Sequence, residues 1–65
     1  MITEKQLFEA SQKRKAVKNL IDKIKEGKPT NITYECLRIA LKTDGLTTNE
    51  KELRSLLQVI IHERT

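Results

Sequence analysis

The sequence predicts an all-α protein: a small three-helix bundle in which a long, amphipathic and basic first helix is packed by an antiparallel hairpin of the second and third helices. Three observations predict it. Apolar residues recur at three- and four-residue spacing, with no strand-like alternation. Only two glycines and one proline punctuate 65 residues, and they fall between the periodic stretches. Cap-forming side chains stand before each stretch. One domain over 1–65, with helices at about 4–26, 32–43 and 48–63, accounts for the chain.

Thr3 is placed to cap the first helix. Its hydroxyl reaches the amide of Gln6 and the Gln6 side chain reaches back, a capping box, while Ile2 and Leu7 form a hydrophobic staple around it. At about 100° per residue, Ala10, Val17, Leu20, Ile21 and Ile24 fall on one side, with Lys13 and Lys28 near its edges. Ser11, Arg14, Lys15, Lys18, Asp22 and Lys25 are read as the opposite, polar side. Leu7 and Phe8 do not continue the apolar stripe, so the first turn packs under a different neighbour or Phe8 is left for a partner. Such a helix is roughly 34 Å long, more than two shorter helices cover, and the excess stripe predicts a homodimer.

Gly27-Lys28-Pro29 stops this helix, with Gly27 suited to a left-handed position and Pro29 unable to continue. Thr30 or Asn31 caps the second helix. Its residues Ile32, Cys36, Leu37, Ile39, Ala40 and Leu41 cover more than half the wheel and predict the buried central helix, with Glu35, Arg38 and Lys42 as the wet strip and Tyr34 on its border. Asp44-Gly45-Leu46 reads as a Schellman motif with Leu46 folded back on Leu41. Thr47 and Glu50 form a second capping box, and the third helix carries the stripe Leu53, Leu56, Leu57 and Ile60, flanked by Val59 and Ile61. Glu50 and Arg54 are spaced to form an ion pair.

Charge is placed unevenly. Residues 1–28 hold eight basic side chains against four acidic ones and residues 29–65 hold five of each, so the net +4 lies entirely in the first segment. Arg14, Lys15, Lys18 and Lys25 therefore form the candidate binding face, for an acidic protein surface or for phosphates. Asp22 within that face and the excess of Lys over Arg weigh against nucleic acid. A helix-turn-helix reading of the second and third helices fares poorly, because Glu50 and Glu52 stand where the reading helix would meet bases and phosphates and, with Gly45 taken as the motif's turn glycine, Lys51 and Arg54 fall at core positions.

Catalytic signals are lacking. Cys36 and His62 are the only soft ligands, too few for a metal site, and Cys36 is read as a core residue. No glycine-rich phosphate loop or paired-carboxylate cleft occurs, and the glycosylation sequon Asn31-Ile32-Thr33 is expected to be coincidental, since Met-Ile-Thr-Glu-Lys-Gln at the start carries no signal-peptide apolar core. No apolar run reaches the roughly 20 residues of a membrane span. The expectation is a cytoplasmic, non-enzymatic regulatory or adaptor protein, without cofactor or metal. It would bind a protein partner with an acidic surface through Arg14, Lys15, Lys18 and Lys25, with Phe8 and Tyr34 as apolar contacts. The alternative is a nucleic-acid-binding protein that lays the same face on phosphates.

Overall fold

The structure, a computed structural model, describes residues 2–27 and 29–64, with side chains up to His62. The described residues form four helices and no strand: α1 (Glu4–Lys13), α2 (Lys15–Glu26), α3 (Asn31–Thr43) and α4 (Glu50–Arg64). The all-helical class is as the sequence predicts, but the count is four, because the long first helix is broken at Arg14.

The reason for the break lies in the spacing. Leu7, Ala10, Arg14, Val17, Ile21 and Ile24 are separated by 3, 4, 3, 4 and 3 residues. In one unbroken helix this would set Arg14 in the apolar seam, about 60° from the stripe's centre and not on the far side. Burying a guanidinium there without a partner is costly. Arg14 instead adopts φ −125° and ψ 115°, and its Nε donates to Asp44 Oδ1 at 2.6 Å. The break leaves neither Arg14 backbone group unpaired: its N–H donates to the Ala10 carbonyl at 2.9 Å and its carbonyl accepts from Lys18 N–H at 3.1 Å.

With the segment bent, α1 contacts α2, α2 contacts α3, and α3 contacts α4. The molecule measures 29 × 23 × 22 Å, with a Cα radius of gyration of 10.5 Å, against about 10.7 Å for a compact 65-residue domain. Ile2, Leu7 and Ala10 enter the core from α1 and its approach, Val17, Ile21 and Ile24 from α2, Tyr34, Leu37 and Leu41 from α3, and Leu53, Leu57 and Ile60 from α4. The α2 stripe is thus covered within one chain. The surplus of exposed stripe that led to an expected homodimer through the first helix does not exist.

Local signals hold at several ends. The Thr3–Gln6 capping box is formed, with Gln6 N–H donating to Thr3 Oγ1 at 3.2 Å and Thr3 N–H to Gln6 Oε1 at 2.9 Å. Ile2 and Leu7 are both buried as the staple requires. Thr30 caps α3 through Thr33 N–H. The Schellman motif is present, with Leu46 N–H bonded to the Leu41 carbonyl and Gly45 N–H to the Lys42 carbonyl, both at 3.0 Å. Gly45 has φ 77°, and a Cβ placed on it would meet nothing within 4 Å. Gly45→Ala therefore carries only the backbone penalty of the left-handed region and is expected to cost about 1–2 kcal/mol, read as a lower urea midpoint with unchanged slope.

Other ends depart from expectation. Gly27 has φ −158° and is not left-handed, and Lys28, expected in the same stop signal and near the stripe's edge, lies outside the described residues. The cap of α4 is Asn49, not Thr47. Glu52 N–H donates to Asn49 Oδ1 at 2.8 Å, while the Thr48 hydroxyl donates to Glu52 Oε2 at 3.2 Å. Asn is at least as good a cap as Thr, and Thr48 is buried, so the start moves two residues along.

The outward side of α3 also differs. Cys36 is exposed, and Ile32 and Ile39 are 75% and 53% exposed. The helix buries only the Tyr34, Leu37, Leu41 side. On its exposed side Arg38 pairs with Glu35 and holds that carboxyl below its usual range. A lowered carboxyl favours the folded state above its ordinary value and loses that contribution as pH falls through the lowered one. The pair is solvated and its contribution small.

Candidate functional site

Bending the chain at Arg14 opens a groove of about 630 Å³ between α1 and α2, a volume in the range of ligand-binding clefts. Glu4, Lys5, Leu7, Phe8, Ser11 and Gln12 line it from α1, Lys18, Ile21, Asp22 and Lys25 from α2, and Ile60 from α4. The helical period explains the α2 wall, since residues 18, 21, 22 and 25 share one face. Leu7, Ile21 and Ile60 are core residues and supply an apolar floor. Phe8, one turn from the Thr3 cap, is 54% exposed, a large ring left in water beside that floor.

Charges around the groove are mixed, with Lys5, Lys18 and Lys25 against Glu4 and Asp22. Three ammonium groups and two carboxylates therefore offer ion-pairing positions of both signs around the opening. Ser11 is no free nucleophile there, as its hydroxyl donates to the Phe8 carbonyl at 2.6 Å. Among the described residues no group of three or more His, Cys, Asp or Glu side chains is placed to hold a metal ion. No helix among them is long and apolar enough to cross a membrane.

The structure distributes the predicted site residues unevenly. Lys18, Lys25 and Phe8 come together in the groove. Lys15 is exposed but outside its lining. Arg14 is the interhelical residue and is engaged with Asp44, so it does not extend the basic face. Tyr34 is 3% exposed and belongs to the core, and the Arg54 guanidinium lies 4.8 Å from its ring centroid. It offers no contact surface on the single chain. Arg54 also pairs with Glu50 at 2.9 Å and donates to Asn31 Oδ1, tying α4 to the start of α3.

Lys5, Gln12 and Ile60 line the groove and are not among the site residues the sequence predicts. On a single helical wheel Lys5 lies far from Lys18 and Lys25, and only the bend brings them to one opening. Glu50 and Glu52, the acids at the start of α4, are held by Arg54 and by Thr48, so that end of α4 presents carboxylates.

No protein-family model matches this chain, and no match was found among curated proteins or among solved structures.

Proposed function

We propose that this chain is a small non-enzymatic adaptor or regulator that binds another protein through the groove between α1 and α2. The occupant is an amphipathic helical segment with an apolar stripe and acidic flanks. The observation that carries the reading is Phe8, 54% exposed at a groove rimmed by Lys5, Lys18 and Lys25, which outnumber Glu4 and Asp22 there. Interface centres favour aromatics, and charges at the rim set partner choice and orientation. The concentration of net charge in the first 28 residues supports an acidic partner, since long-range attraction speeds encounter. Helix-in-groove docking needs apolar anchors one turn apart, and these would rest on Phe8 and on the slight exposed area of Leu7, Ile21 and Ile60.

The test is fluorescence anisotropy with two labelled amphipathic peptides sharing one leucine stripe, one flanked by glutamates and the other by lysines. The acidic peptide is expected to bind and the basic one not, and the double variant Lys18→Glu, Lys25→Glu is expected to reverse that preference. Equal binding of both peptides would refute the charge-selective groove. Duplex DNA or RNA run alongside decides the nucleic-acid alternative: affinity that persists at physiological salt and falls on reversing Lys15 and Lys18 would replace protein binding with phosphate binding.

A further inference from the structure

The outward face of α3 carries an apolar stripe that nothing in the single chain covers. At about 100° per residue, Ile32, Cys36, Ile39 and Thr43 fall within about 60° of one another, on the side opposite the buried Tyr34, Leu37 and Leu41. Ile32 and Ile39 are 75% and 53% exposed, and Cys36 is exposed. The Thr43 hydroxyl donates to the Ile39 carbonyl at 3.1 Å, which satisfies its polar group within the helix.

The residues beside the stripe say what fits it. Glu35 and Lys42 lie on one flank, Thr33 and Ala40 on the other. We infer that α3 docks against α3 of a second copy of this chain, antiparallel about a two-fold axis. The stripe is spaced 4, 3, 4 and reads the same in reverse. Two copies therefore set Cys36 against the partner's Ile39 and Ile32 against the partner's Thr43, twice over. The same operation brings Glu35 towards the partner's Lys42 on one side, again twice. On the other side it leaves only Thr33 and Ala40, small enough for close helix approach. A parallel pairing would instead lay the Glu35 and Lys42 flank beside the partner's Thr33 and Ala40 flank and form neither ion pair. Both oxygens of the Glu35 carboxylate accept from Arg38, one from Nε at 3.3 Å and one from Nη2, in an exposed pair, and each oxygen keeps a second lone pair for the partner's Lys42. The face is one short helix, below the roughly 800 Å² per partner of a standard interface, so association is weak and concentration-dependent. It stands independently of the groove between α1 and α2.

Sedimentation equilibrium from about 10 µM to about 1 mM tests it. The mass is expected to rise from 7.5 kDa towards twice that value. Ile39→Lys, at an exposed position, is expected to hold the mass at the monomer value with an unchanged helical circular dichroism spectrum. Glu35→Lys is expected to weaken association about threefold or more, and combining it with Lys42→Glu is expected to restore it. A monomer at every concentration, self-association that survives Ile39→Lys, or no recovery in the charge-swapped double variant would each overturn the inference.

Discussion

Leu37→Ala is expected to destabilise the fold by about 2–5 kcal/mol, the cost of deleting a fully buried leucine and leaving a cavity. Leu37 is 0% exposed at the centre of α3, which contacts both α2 and α4. A 65-residue chain has a total stability of about 3–10 kcal/mol at the usual figure per residue, so this one change removes a large share of it. Combining it with Leu57→Ala, also 0% exposed, is expected to leave the chain largely unfolded at 25 °C. Val59→Ala, at a residue 48% exposed, is the control and is expected to shift the urea midpoint little. Equal effects of Leu37→Ala and Val59→Ala would mean that α3 is not the helix through which α2 and α4 are joined.

Phe8→Ala is expected to lower affinity for an acidic amphipathic peptide by about thirtyfold, the equivalent of about 2 kcal/mol for an aromatic anchor at an interface centre. The same change is expected to leave folding almost untouched, because the ring is 54% exposed and outside the core cluster. Loss of binding with retained stability separates a contact residue from a structural one. A large drop in thermal midpoint with unchanged affinity would place Phe8 in the core and remove the groove's anchor.

What the sequence disclosed is largely what short-range chemistry decides. The Thr3–Gln6 box, the Ile2–Leu7 staple, the Schellman turn at Gly45 and the Glu50–Arg54 pair each depend on residues within five positions of one another, and each is present. Most of the misreadings concern choices made by distant parts of the chain. Arg14 leaves the helix in company with Asp44, thirty residues on, and a wheel drawn through the break puts Lys5 and Lys25 far apart. The heptad spacing that placed Arg14 in the apolar seam was nonetheless visible and was the available clue. Tyr34 and Cys36 exchanged expected places because α3 has apolar residues on both sides, and only the packing of α2 and α4 selects which side is buried. Thr47 lost the cap of α4 to Asn49 because two adequate caps stood two residues apart and Thr48 is buried between them.

The groove between α1 and α2 is the centre of the functional account, and amide chemical-shift mapping tests it most directly. The ¹⁵N-labelled chain is titrated with the acidic amphipathic peptide and every backbone amide is followed. Shifts concentrated in α1 around Leu7, Phe8 and Gln12, in α2 around Lys18, Ile21 and Lys25, and at Ile60 are the expected result. Shifts centred on the outer faces of α3 or α4, or none at peptide concentrations near 1 mM, would contradict it.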